Sequence, residues 1–195
     1  GENKIKVLVK NGVPSGRWYT GGGIYRDVNI MKSDRLHLVP DGVQMTTSEL
    51  EPDLAVIRSE TEIQYQGLGT REFTLYTEIL DENGQSVAED RMSVTLSEGE
   101  KGKYRQRLDV ADPEPWDEEH PCLYRYHTKI IENGRVIDEE NGTFGIRKLQ
   151  LDSRHGLRVN GRTVKLRGGC IHHDHGIIGT ADFYHAEDER IRKLK

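Results

Sequence analysis

The sequence predicts a mostly β protein built around a two-sheet sandwich of immunoglobulin type. Three observations carry that prediction. Across residues 36–147, about seven runs rich in Val, Ile, Leu, Thr and Tyr follow one another, several with apolar and polar residues in strict alternation. Turn signals separate them: Gly67-Leu68-Gly69, Asp81-Glu82-Asn83-Gly84 and Glu132-Asn133-Gly134-Arg135. With 34% hydrophobic and 31% charged residues, the composition fits thin β layers wetted on their outer faces, while the patterned apolar runs exclude disorder.

Taken in order, Ile5, Val7 and Val9 alternate with Lys6, Leu8 and Lys10 and predict a strand. Turn material at residues 11–16, then Arg17-Trp18-Tyr19 and Gly21-Gly22-Gly23, precede a second predicted strand over 24–31. An isolated strand pair is marginal in water, so this opening segment needs a partner surface. Residues 37–39 and 43–47 predict one broken strand. In the long run 54–65, Ala55, Ile57, Ser59, Thr61, Ile63 and Tyr65 share one face. Phe73, Leu75, Thr77 and Ile79 alternate with polar partners in the next strand. Strands over 87–96 and 104–110 follow, joined by a charged loop at 97–103. Asp112-Pro113-Glu114-Pro115-Trp116 breaks the pattern. Trp116 is expected to anchor that loop into the sandwich, and the acidic run 112–119 to be a solvated loop. Strands over 123–131 and 136–147 complete the set.

The character then changes. Leu149, Leu151, Leu157 and Val159 lie around Asn160-Gly161, a two-residue turn signal, and residues 163–167 predict the return strand. That strand leads into Gly168-Gly169-Cys170-Ile171-His172-His173-Asp174-His175-Gly176, the densest chemistry in the chain. Paired glycines allow close approach of a ligand, and imidazoles and a carboxylate offer proton transfer, metal ligation or hydrogen bonds to a polar substrate. Residues 186–195 predict a helix with Ile191 and Leu194 on one face. Strand, loop and helix in that order look like the first unit of an α/β fold, which cannot bury its faces alone.

Composition excludes some classes. A net charge of -5 argues against nucleic acid as partner, and there is neither an apolar run of membrane-spanning length nor a signal-peptide pattern. The chain opens on Gly1-Glu2 rather than Met, as a processed product or a piece of a longer protein would. Two distant cysteines, Cys122 and Cys170, make no disulfide framework and read as buried free thiols; the redox compartment, and with it localisation, stays open. Asn141-Gly142-Thr143 matches a glycosylation acceptor, a triplet common by chance. Reading His172, His173, Asp174 and His175 as metal ligands meets a geometric objection. Adjacent residues on an extended strand point to opposite faces, so no metal site is expected. Arg17, Trp18 and Tyr19 read as packing between domains rather than as a sugar-stacking platform.

Three stretches point to one family. Arg17-Trp18-Tyr19-x-Gly21-Gly22-Gly23-Ile24-Tyr25-Arg26-Asp27-Val28 resembles the end of the jelly-roll sugar-binding domain of glycoside hydrolase family 2, which includes bacterial β-galactosidases, β-glucuronidases and β-mannosidases. Trp116 with Pro121, Leu123 and Tyr124, followed by Phe144-Gly145-Ile146-Arg147, resembles the last strands of its immunoglobulin-like domain. Gly156-Leu157-x-Val159-Asn160-Gly161 and Leu166-Arg167-Gly168-x-x-x-His172-x-Asp174 resemble the start of its (β/α)8 barrel. The resemblance implies three segments: 1–35 the end of a jelly roll, 36–147 the sandwich, and 148–195 the start of the catalytic barrel.

By that resemblance the parent is a glycoside hydrolase that cleaves O-glycosidic bonds with retention, using two glutamates that lie beyond Lys195. The acid/base of the family usually follows an Asn, and this sequence holds no Asn-Glu dipeptide. The fragment alone is therefore expected to be inactive, with no catalytic residue of its own. His172, His173 and Asp174 match the family pattern at the end of the first barrel strand and are the expected substrate-binding residues of the parent. His175 departs from the pattern, since relatives commonly carry an apolar residue there. The implied partner is a carbohydrate, without cofactor, and the family admits homo-oligomers. The alternative reading is a free-standing carbohydrate-binding or adhesion module, against which the barrel-like segment speaks.

Overall fold

The computed structural model of the protein describes residues 4–10, 23–24, 28–171, 175, 177–179 and 181–194. The chain divides into two compact units, Lys32–Leu166 and a second made of Gly1–Met31 with Arg167–Lys195. The first contains the sandwich. Its strands are β1 (Leu36–Leu50), β2 (Leu54–Tyr65), β3 (Thr70–Leu80), β4 (Ser86–Ser97), β5 (Lys101–Ala111), β6 (Tyr124–Glu132) and β7 (Arg135–Phe144). One antiparallel sheet has the order β1-β2-β5 and the other β4-β3-β6-β7. The fourth strand thus pairs with the third. In a constant-type immunoglobulin domain it would join the sheet of the first, second and fifth.

Alternation decides which side of each strand is inside. Ala55, Ile57, Ser59, Thr61 and Ile63 on β2 are fully buried, as are Leu75, Thr77 and Ile79 on β3. The apolar core falls into two clusters along the strands. Leu36, Ile63, Phe73, Leu75, Leu96 and Ile130 belong to one; Ala55, Ile57, Ile79, Leu108, Val110, Tyr124 and Ile146 to the other. Between them runs a buried polar belt: Ser59, Thr61, Thr77, Gln106 and Thr128. The Thr77 hydroxyl donates to Gln106 Oε1 at 2.7 Å, and Gln106 Nε2 donates to the Leu75 carbonyl at 3.4 Å. A buried polar group without a partner is costly, so this belt fixes the sheets relative to each other as well as filling space.

Turn chemistry sets the register. The β6–β7 connection is Asn133-Gly134, with φ of 50° and 76°, the positive pair a type I′ hairpin requires. The broken strand predicted at 37–47 is β1, continuous but with a register shift between Leu38 and Val43. The charged loop predicted at 97–103 is shorter, because β5 begins at Lys101 and pairs with β2 from its first residue.

After β7 come three short strands, β8 (Leu149–Asp152), β9 (Gly156–Val159) and β10 (Arg162–Thr163), in a separate antiparallel sheet of order β10-β9-β8. In the second unit, helix α1 spans Tyr184–Leu194, starting two residues before the predicted helix, with an Asp188–Arg192 ion pair one turn apart. Two sequence expectations fail. Residues 4–10 and 28–31 form no strand, and Ile5, Val7, Ile30 and Met31 are exposed. The predicted return strand 163–167 stops at Thr163, and Leu166 is exposed. A strand persists only beside a hydrogen-bonded neighbour: among the described residues no strand runs beside 4–10 or 28–31, and the return strand keeps one further bond past Thr163, from the Val164 N–H to the Leu157 carbonyl at 2.8 Å.

Candidate functional site

The three expected substrate-binding residues, His172, His173 and Asp174, lie outside the described residues, as do Arg17, Trp18 and Tyr19. His175 and Gly179 exchange main-chain hydrogen bonds of 2.7 and 2.6 Å, closing a tight turn. The His175 ring Nε2 lies 3.4 Å from the Ala186 carbonyl, at the start of α1, so this half-buried imidazole is used in packing its own loop. Gly168 and Gly169 do not take left-handed conformations, and a side chain at either would meet open space. Cys170 is exposed rather than buried. Among the described residues, no group of three or more His, Cys, Asp or Glu side chains is placed to hold a metal ion.

The most organised polar site in the described residues is the joint between the sandwich and the β8–β10 sheet. It is built on Trp116, in the loop between β5 and β6. The Trp116 N–H donates to the Ile146 carbonyl at 2.8 Å, tying the loop to the chain leaving β7. The guanidinium of Arg147 stacks over the indole at 4.5 Å. Gly145 makes this approach possible: a Cβ there would stand 2.7 Å from both Cβ and Cγ of Trp116. The Arg147 N–H is held by the Thr47 hydroxyl of β1 at 3.2 Å. From the small sheet, Asn160 Nδ2 donates to the Trp116 carbonyl at 3.0 Å, and its Oδ1 accepts from the Lys148 N–H at 2.9 Å. Arg162 pairs with Glu118 at 2.6 Å and reaches Glu119 at 3.5 Å.

Trp116 is thus the anchor that the sequence predicted. The acidic run is more than a solvated loop. Asp117 accepts main-chain hydrogen bonds from Glu119 and His120 at 2.8 and 2.6 Å, and these hold its carboxyl below the ordinary carboxylate range. The next two residues, Glu118 and Glu119, meet Arg162, which is 44 positions beyond Glu118 and which local reading cannot foresee. Asp152 does the same for the β8–β9 connection. It caps the His155 and Arg154 N–H groups and pairs with Arg158 at 2.8 Å, and its carboxyl is also held low. Cys122, half-buried, donates to Glu114 at 3.5 Å, and burial pushes its thiol up. Apart from Arg158 Nε, which is buried without a hydrogen-bond partner, these groups satisfy one another, the arrangement of a joint. Sequence reasoning missed the contacts of Asn160, Arg147 and Arg162 here: Asn160-Gly161 read as a turn and part of a motif, Arg147 only as the end of the Phe144-Gly145-Ile146-Arg147 motif, and Arg162 carried no signal.

Comparison with known proteins matches this architecture. The family model described as glycosyl hydrolases family 2 matches residues 39–147, the sandwich as far as the arginine of the joint. The β-galactosidase BoGH2A of Bacteroides ovatus is 34% identical over 194 residues, covering 99% of this chain and 23% of that protein. A putative β-glucuronidase of Formosa agariphila is 33% identical over 93% of this chain and 17% of its own length. A crystal structure of a family 2 member from Bacteroides cellulosilyticus superposes with a TM-score of 0.86 at 35% identity, covering 95% of this chain and 26% of that one. The chain spans about a quarter or less of these relatives. It belongs to glycosyl hydrolase family 2.

Proposed function

We propose that the whole protein is a retaining glycoside hydrolase and that this chain supplies framework and substrate contacts rather than the reacting carboxylates. Residues 1–35 are the end of a jelly-roll sugar-binding domain, 36–147 the immunoglobulin-like sandwich, and 148–195 the start of the catalytic barrel. The observation that supports this most is the 34% identity to a named β-galactosidase along 99% of the chain, read with the family match over the sandwich. Retention needs two carboxylates about 5–5.5 Å apart across the scissile bond. The relatives have roughly three quarters of their length outside the region this chain covers, ample room for that pair.

His172 is the residue of this chain proposed to contact the sugar, with His173 and Asp174 beside it. Barrel active sites assemble at the C-terminal ends of strands. A neutral imidazole there hydrogen-bonds a sugar hydroxyl, most strongly as the ring distorts toward the transition state. In the whole protein, His172→Ala is expected to lower kcat/KM about 30- to 1000-fold, the loss of one transition-state hydrogen bond, with melting nearly unchanged. His175→Ala is expected to cost much less, because that ring packs its own loop. Wild-type kinetics for His172→Ala, or a loss explained by unfolding alone, would refute the assignment.

A further inference from the structure

A type I′ turn at 160–161 is served by Asn-Gly, Asp-Gly or Gly-Gly alike, since each tolerates positive φ; Asn160 and Gly161 sit at 50° and 81°. The turn alone does not explain why the first residue is asparagine. Its side-chain amide is used at both ends: Oδ1 accepts from the Lys148 N–H at 2.9 Å, while Nδ2 donates to the Trp116 carbonyl at 3.0 Å. Its own N–H donates to the Lys148 carbonyl at 2.9 Å. Aspartate has no donor for the Trp116 carbonyl, and glycine has no side chain. Asparagine is the one residue of the three that makes the turn and the joint together.

We propose that Asn160 is a positioning residue. It fixes the β8–β10 sheet against the Trp116 loop of the sandwich, and so sets the direction in which the chain leaves β10; in the sequence His172 follows Thr163, the end of β10, by nine residues. The proposal rests on the reading of His172 as a substrate contact.

The other ties of the small sheet are weaker. The pairs of Arg162 with Glu118 and Glu119 join side chains that are 51%, 42% and 66% exposed, where ion pairs contribute little. Leu149 and Leu151 are 55% and 80% exposed, so that side of the sheet adds no hold within its compact unit. Val159 is the one buried residue of the three strands. Burial of a single valine is not directional, whereas the two amide hydrogen bonds define an angle.

Two substitutions separate turn from joint. Asn160→Gly keeps the positive φ and deletes both side-chain bonds; Asn160→Asp keeps the acceptor for Lys148 and replaces the donor to Trp116 with a charged oxygen facing its carbonyl. Hydrogen exchange on this chain should show faster exchange in the small sheet, read at the Val164 N–H that donates to the Leu157 carbonyl, roughly fivefold per bond lost. Strands β2 and β3 should be unchanged. Wild-type exchange in Asn160→Asp would overturn the joint, since the turn would then be all that matters. Faster exchange throughout the sandwich in both variants would overturn it too, because Asn160 would then hold the whole fold. In the whole protein both variants should lower kcat and kcat/KM together, roughly fivefold or more, with KM and Tm nearly constant. Altered exchange with unchanged kcat would overturn the link to the site and leave the reading of His172 to its own alanine variant.

Discussion

Replacing Gly145 by alanine should damage this chain more than its chemistry implies. The new methyl carbon would stand 2.7 Å from Cβ and Cγ of Trp116 and 3.0 Å from Cδ1. Carbon atoms in contact prefer about 3.5–4.0 Å, so the indole or the backbone must give by nearly 1 Å. The indole is not free to do so. Its residue is bonded through its N–H to Ile146 and through its carbonyl to Asn160, and Arg147 stacks over the ring. Holding the clash costs about 1–3 kcal/mol, as overpacking does. Releasing it forfeits two hydrogen bonds at about 1 kcal/mol each and a cation–π contact of about 0.5–1 kcal/mol. The two routes bracket about 1–3 kcal/mol, a fall in Tm of roughly 3–10 °C for a unit of this size. A thermal scan by circular dichroism reads it. Gly168→Ala is the control: its φ is ordinary and its surroundings open, so the melting point should hold. If Gly145→Ala melts within ~1 °C of wild type, the joint does not have the rigidity argued for it.

Two further perturbations probe other levels of the structure. Thr77→Val keeps the shape but leaves Gln106 Oε1 buried without its donor, and should cost about 1–3 kcal/mol, seen as a lower urea midpoint with an unchanged slope. Glu140→Gln should stabilise the chain at pH 7. Burial chiefly, with Asp41 and Asp138 nearby, raises the Glu140 carboxyl above its ordinary 4.5, even though Tyr126 donates to it at 3.1 Å. A folded pKa raised above the unfolded one contributes stability that is complete below about 4.5 and lost as pH rises through the folded value. The gain from the neutral amide, on the order of 0.5 kcal/mol at this half-exposed site, should therefore vanish below about pH 4 in thermal melts. A gain that persists in acid would show that charge is not the cause.

The sandwich was legible in the sequence wherever one face of a strand is buried. In β2 the alternation from Ala55 to Tyr65 marks the buried side residue by residue, and both ends of the strand agree with the run 54–65. The hairpin at Asn133-Gly134 was legible because its backbone admits few residue types. The failures fall where structure depends on a neighbour rather than on local pattern. Alternation at 5–9 and the run 164–166 fit strands, yet among the described residues the first pairs with no strand and the second keeps only the bond from the Val164 N–H to Leu157, and Ile5, Val7, Val9 and Leu166 are exposed. The joint was legible only as fragments. Trp116, Gly145 and Asn160-Gly161 each carried a local signal, but the bonds that unite them span 44 positions, and no periodicity reports such a contact. The proposed sugar contacts rest on resemblance, since His172, His173 and Asp174 lie outside the described residues.

The central claim is a division of labour: this chain carries framework and substrate contacts, and the reacting carboxylates belong to the rest of the protein. Hydrolysis of a nitrophenyl β-glycoside tests it directly, with the purified 195-residue chain and the whole protein assayed side by side. The account predicts turnover by the whole protein and none by the chain above the rate in buffer. Saturable turnover by the chain alone, surviving controls for contaminating glycosidase, would contradict it.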